Sequence, residues 1–306
     1  MDEFTTEPQV RNVSNSEVTC FLSCRRQYIY AFVMELAPKE TPMPLARGSI
    51  GHEAFQFYWE ARLNEANHEQ AMKASNQAFL KPCENTSIDV VMNTQFLFTR
   101  YMNAHEIEYM REWKPLGTEQ QVDLSITSSL NMTIKYDLYY EEVRTGKKRI
   151  LDYKFAYDFW NFDDHDLNGQ MPKYIAAMQA NGLDVDGGVL EEIRTRPLGD
   201  AKSREASNLW RRTPYEPSRA RKRSVLQQHV QASLEIEQFR NMSIEEQREK
   251  AIPVLNKHGA CKFCNFKSLC NSELEGKSDL SVDIRVDYAQ STYGYNKKPE
   301  DFFEIL

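Results

Sequence analysis

The feature that most limits what this chain can fold into is a change of period at Thr118. Ahead of it, apolar residues recur at helical spacing and little reads as sheet. Behind it, EQQVDLSITSSLNMTIKYDLYYEEVRTGKKRILDYKFAYDF alternates apolar with polar side chains and favours β-branched and aromatic residues, which suits pleated strands. Strands are predicted at about 119–126, 130–141 and 148–155, with a turn at 144–147. A helix follows at about 167–180, then a short strand in GGVLEEIRT and a helical stretch at about 218–252.

In the front third, SNSEVTCFLSCRRQYIYAFV reads as one helix capped by Ser14 or Ser16. A three-proline connector leads to a helix at about 50–66, and a long helical stretch fills 70–113. Helices first, an internal sheet, then helices with clustered cysteines give an α/β pattern: a central mixed sheet flanked by helices, a helical N-terminal region and a C-terminal cysteine module. The division expected is 1–117 for the helical region, 118–200 for the sheet core, 201–272 for the closing helices and cysteines, and 273–306 for a loose tail.

With 306 residues the chain can bury roughly 75% of its extended surface. It has no run of about 18 apolar residues, so no membrane span is expected. The polar, acidic start MDEFTTEPQVRNVS lacks an apolar signal region, so a cytoplasmic, reducing setting is expected for the six cysteines. The net charge of -7 hides segregation: residues 194–223 carry ten Lys/Arg against three acids, whereas 272–306 carry eight acids against four bases. That basic stripe, with Trp210 and Tyr215 interleaved, suits a single-strand nucleic-acid groove, cations for the backbone and rings for bases. A solvated charged helix accounts for some of the same arginines.

Chemistry concentrates in the sheet. Asp152 and Lys154 are two apart in ILDYKFA, so they share a face, with Leu151 and Tyr153 on the other. A charged pair inside so apolar a strand needs a reason. Asp137, on the preceding strand, can fall opposite residues just beyond 152 if the chain turns at 144–147. Two such carboxylates make a hard-oxygen site suited to Mg²⁺ or Mn²⁺, and a lysine beside them can orient or activate a water. His52, near the start of a helix, is a candidate further ligand. Gln170 and Tyr174 share a helix face and can hold a phosphate or a base edge.

Cys261, Cys264 and Cys270 give C-x2-C-x5-C within ten residues, a spacing typical of metal ligands. A fourth sulfur must come from Cys20, Cys24 or Cys83. Zinc and an iron–sulfur cluster both accept four thiolates, and spacing favours neither.

Taken in order, these pieces resemble the PD-(D/E)XK nuclease superfamily, in the branch that includes RecB-type exonuclease domains, the CRISPR-associated Cas4 proteins and the nuclease domain of AddB. Gly51-His52-Glu53 matches the leading His motif, Asp137 the strand Asp, Asp152-Tyr153-Lys154 the acid-x-Lys strand, and Gln170 to Tyr174 the Q-x3-Y element. SEVTCFLSC, ending at Cys24, and the trailing trio match the cysteines of the iron–sulfur subset. An Arg follows Cys24 where a proline is usual, and the residues beyond 272 lie outside the resemblance.

The resemblance implies a restriction-endonuclease-like core and a metal-dependent DNA nuclease. Asp137, Asp152, His52 and the Tyr153 carbonyl would hold Mg²⁺ or Mn²⁺, Lys154 would act on water, and Gln170 and Tyr174 would orient the substrate. It further implies a structural [4Fe-4S] cluster on Cys24, Cys261, Cys264 and Cys270, action on single-stranded DNA or free ends, often 5′ to 3′, and helicase, recombination or adaptation proteins as partners. Two other readings stay open: a catalytically silent DNA-binding or scaffold component, and a zinc-stapled nuclease.

Overall fold

The computed structural model describes residues 10–80, 86–159, 169–196, 209–256, 259–277 and 280–291. Its strands are β1 (Arg11–Ser14), β2 (Leu36–Pro38), β3 (Trp113–Thr118), β4 (Gln121–Thr127), β5 (Leu130–Lys135), β6 (Leu138–Glu142), β7 (Lys148–Ala156), β8 (Gly187–Arg194), β9 (Trp210–Tyr215) and β10 (Tyr288–Gln290). Five form a mixed sheet in the order β3-β6-β7-β8-β9, in which β7 and β8 alone run parallel. Parallel neighbours need a crossover, and the helix Gln170–Ala180 lies in the connection between these two.

The chain divides into two compact units that interleave along the sequence: 1–40 with 125–132 and 228–306, and 41–124 with 133–227. They cut across the division expected at 117, 200 and 272.

In the second unit the helix Met43–Leu63 packs on the sheet. Ile50, Ala54, Phe55, Tyr58 and Trp59 follow helical spacing and share one core with Leu138, Tyr140, Leu151 and Tyr153. Phe55 stacks on Tyr153 with centroids 3.5 Å apart. Each side chain buried this fully contributes roughly 1.5–3 kcal/mol, before conformational entropy is counted. Gly51 sits where this helix meets β7: a Cβ there would lie 2.0 Å from the Phe155 ring. Gly188 does the same for Gln170–Ala180, since a Cβ there would lie 2.9 Å from Met171. Helices on the sheet and a mixed strand order give the α/β architecture expected.

In the first unit the predicted N-terminal helix is broken. Ser14 caps Asn15–Ser23 by accepting from the Glu17 N–H at 3.1 Å. Cys24 is extended, a short helix Arg25–Tyr28 follows, and one π-type turn spans Ile29–Val33. These elements share a core with Ala232, Ile236 and Phe239 of the helix Arg219–Arg240, and with Phe266 and Leu269 beside the cysteine trio. The trio therefore packs as part of this unit and does not form a separate module. The expected loose tail is partly ordered: the helix Ser281–Asp287 leads into β10, which pairs antiparallel with β2.

Other elements also differ from the expectation. The stretch 70–113 is several helices, 130–141 is two strands broken at Tyr136 and Asp137, and 218–252 is two helices. No described helix is long and apolar enough to cross a membrane. Cys83, Lys202 and Arg204 lie outside the described residues.

Candidate metal centre

Asp137 sits in the bend between β5 and β6, not within a strand as expected. The β6–β7 register, Leu138 opposite Leu151, brings it to the middle of β7. There its Oδ2 accepts the Tyr153 N–H at 2.6 Å. Its backbone carbonyl accepts from Thr118 Oγ1 at 2.7 Å and from the Glu119 N–H at 3.3 Å. The helix Met43–Leu63, close on β7 because of Gly51, delivers His52, whose Nδ1 lies 3.2 Å from Asp137 Oδ2. Glu119 completes a set: one ligand atom each from His52, Glu119 and Asp137 lie within 4.8 Å of one another. One imidazole with two carboxylates is a donor set for a hard divalent cation.

Glu119 was not foreseen. It stands at the β3–β4 turn in left-handed backbone, φ 52°, and its carboxylate meets Lys135 Nζ at 2.5 Å. An acid heading an alternating stretch was the available signal, and it belonged to no motif.

Asp152 and Lys154 share a face as their parity requires, with Lys154 Nζ 2.6 Å from Asp152 Oδ2. Gln170 donates through Nε2 to Asp152 Oδ1 at 3.0 Å. Gln170 also hydrogen-bonds Tyr174, which is buried. Asp152 is thus held by Lys154 and Gln170 and lies outside the three-residue set. The Tyr153 side chain points into the core, where its hydroxyl accepts from Trp59 Nε1 at 3.1 Å.

Burial works against charge here, and neighbours decide the outcome. It lowers the His52 pKa, but Asp137 outweighs it and holds the imidazole above its usual value. It opposes ionisation of Asp137, but His52, Lys154 and the Tyr153 N–H leave that carboxyl below the usual range. Asp152 stays raised because burial and Asp137 prevail over Lys154. Glu119 is raised by burial and Asp137 despite Lys135. Burial lowers Lys154, yet Asp152 and Asp137 bring it above its free value, so its amine is an ammonium at neutral pH.

In the other unit, Cys24, Cys261, Cys264 and Cys270 line one cavity of about 330 Å³, together with Arg26 and Tyr30. Cys20 is not among its lining residues. Its thiol is pushed up to about 12 by burial, then by Cys24 and Cys264. Cys264 and Cys270 are raised in the same way, by burial first and then by nearby thiols. Phe263 is exposed and outside the core that holds Phe21 and Phe266.

The basic stripe is less open than its sequence suggests. Arg212 is bound by Glu191 and Glu108, Trp210 packs on Tyr101, and Tyr215 is buried. The two rings therefore do not form a stacking surface.

Compared with known proteins, residues 12–271 match the family model of the PD-(D/E)XK nuclease superfamily. No curated protein matches the chain. A solved structure described as "Crystal structure of SSO0001" is 11% identical, with 87% of this chain and 89% of that chain covered and a TM-score of 0.38. The matched family and the His/Glu/Asp set fit a metal-dependent nuclease.

Proposed function

The chain belongs to the PD-(D/E)XK nuclease superfamily, and from that premise we propose that it is a Mg²⁺- or Mn²⁺-dependent deoxyribonuclease. Its substrate is single-stranded DNA or a free end, degraded 5′ to 3′. The observation that carries this reading is the meeting of His52, Glu119 and Asp137 beside the Asp152–Lys154 pair.

His52, Glu119 and Asp137 would hold the cation, and the Asp152 carboxylate and the Tyr153 carbonyl would serve as further oxygen donors. Bound there, a divalent cation supplies charge neutralisation and Lewis-acid polarisation of the scissile phosphate. The chain does the rest. Lys154, protonated, orients the attacking water and neutralises charge as it grows on the phosphate oxygens. The water oxygen bonds to phosphorus as the bond to the departing sugar oxygen breaks; the water gives its proton to solvent and the sugar oxygen takes one from solvent. Gln170 keeps Asp152 in register with Lys154, and Tyr174 steadies Gln170 through a side-chain hydrogen bond.

The same reading includes a structural [4Fe-4S] cluster on Cys24, Cys261, Cys264 and Cys270. Its support is that these four thiols line one cavity and that burial, then nearby thiols, raise the pKa of Cys264 and Cys270, a cost that a bound cationic centre removes by releasing their protons. The cluster supplies cross-linking between the N-terminal helices and the trio.

The test is cleavage of end-labelled single- and double-stranded DNA by protein purified anaerobically, with Mn²⁺, Mg²⁺ or EDTA. Expected is metal-dependent shortening of single strands from the 5′ end. Intact DNA under every condition would reject the nuclease.

A further inference from the structure

The helix Ile88–Ala104 turns one face to the core, through Val90, Thr94, Leu97, Phe98, Tyr101 and Met102. Its other face is not the polar surface that a helix packed on a core ordinarily shows to water. Ile88, Met92 and Phe96 stand there at i, i+4 and i+8, and they are 70%, 62% and 59% exposed. Residues four apart on a helix are neighbours, so the three side chains make one apolar row about 12 Å long. Single exposed apolar residues are ordinary, but a contiguous row marks a contact surface.

The charges beside the row decide what it fits. Asp89 and Arg100 lie at its two ends, and neither has a side-chain hydrogen bond or ion pair with another described residue. At 3.6 residues per turn they are about three turns apart and project within about 20° of each other, so both stand on one flank. Their midpoint falls between residues 94 and 95, and that of Met92 and Phe96 falls at residue 94. A two-fold axis at this point, perpendicular to the helix, generates an antiparallel copy whose same flank meets this one. Met92 of each copy then lies against Phe96 of the other, and Asp89 of each faces Arg100 of the other. A parallel pairing would set like residues at the same height and make neither ion pair.

We infer that the Ile88–Met92–Phe96 face binds a second copy of the chain, antiparallel and isologous, as the interface of a homodimer. The inference does not rest on the proposed chemistry. One helix face is small beside the roughly 1,200–2,000 Å² of stable complexes, so the dimer is a weak one that forms at micromolar concentrations and above.

The test is sedimentation velocity of the full chain at rising loading concentration. Wild type should pass from monomer to dimer. Phe96→Ser, a change at an exposed position that should leave the melting temperature in place, should stay monomeric. Asp89→Arg and Arg100→Asp each turn both ion pairs into like-charge contacts, and each should weaken association roughly 3–30-fold. Mixing these two variants sets opposite charges face to face again at both ends, so the mixed pair should associate about as tightly as wild type. That recovery reports the antiparallel register, and a mere change of surface charge would not produce it. A wild type that stays monomeric up to about 0.3 mM would overturn the dimer and leave the face to a different protein. Self-association that survives Phe96→Ser would overturn it too, as would charge variants that associate like the wild type or fail to recover on mixing.

Discussion

His52 Nδ1 and Asp137 Oδ2 stand 3.2 Å apart and form an ion pair whenever the imidazole is protonated. The imidazole's folded pKa lies above its free value of 6.5 because the attraction of Asp137 exceeds the effect of burial. The pair therefore adds stability that is complete below about pH 6.5 and is lost as the pH rises through the higher folded value. Thermal unfolding in EDTA should show wild type losing its advantage over His52→Asn as the pH is raised from about 6; parallel pH profiles would count against the pair. For Glu119, Glu119→Gln should weaken Mn²⁺ binding on the order of 10–100-fold by calorimetry, and unchanged affinity would remove it from the donor set. Asp152 and Lys154 were legible because a strand's period of two puts them on one face whatever surrounds them. Glu119 was not, since its approach depends on a left-handed turn residue and on the Asp137 carbonyl, neither of which leaves a periodic trace.

Among the elements, the helix Met43–Leu63 is the one whose placement the site depends on most. Gly51→Ala gains about 1 kcal/mol of helix propensity, but its Cβ meets the Phe155 ring, and overpacking of this kind typically costs about 1–3 kcal/mol. We expect a small net loss in unfolding free energy together with a larger loss of turnover, because His52 is the next residue. Full activity would show that the helix approach does not set the imidazole. The central strands β7 and β8 were readable as apolar runs, as their burial requires. The two edge strands were missed for a common reason. β3 contains Pro115 and Gly117 with an irregular register between them, and β9 reads RRTP, the charged, proline-bearing composition that edges tolerate. The break at Tyr136 and Asp137 was hidden because β-type residues continue on both sides of it.

For the molecule as a whole, a chain that leaves one compact unit and returns to it needs something to hold its beginning to its end. Aromatic packing does part of this: Phe21 meets Phe239 at 5.6 Å, and Arg26 reaches the Ala251 carbonyl at 2.9 Å. The cysteine cavity is the proposed remainder. Iron per chain should fall sharply in Cys24→Ser and stay near wild type in Cys20→Ser, since Cys24 alone of the two lines the cavity. The reverse pattern would transfer the ligand to Cys20, and zinc in place of iron would replace the cluster with a structural ion. The spacing of the trio was plain in the sequence. The choice between Cys20 and Cys24 was not, because it depends on the helix breaking at Cys24.

The central claim is that Lys154 acts on the reaction of a cation held by its neighbours, and one comparison tests it most directly. Wild type and Lys154→Ala are titrated with Mn²⁺ and then assayed for turnover of single-stranded DNA in the same buffer. The account predicts Mn²⁺ affinity that changes little and turnover that falls about 10²–10³-fold, the loss expected when one preorganised donor to the developing charge is removed. Comparable turnover in the two proteins would contradict it.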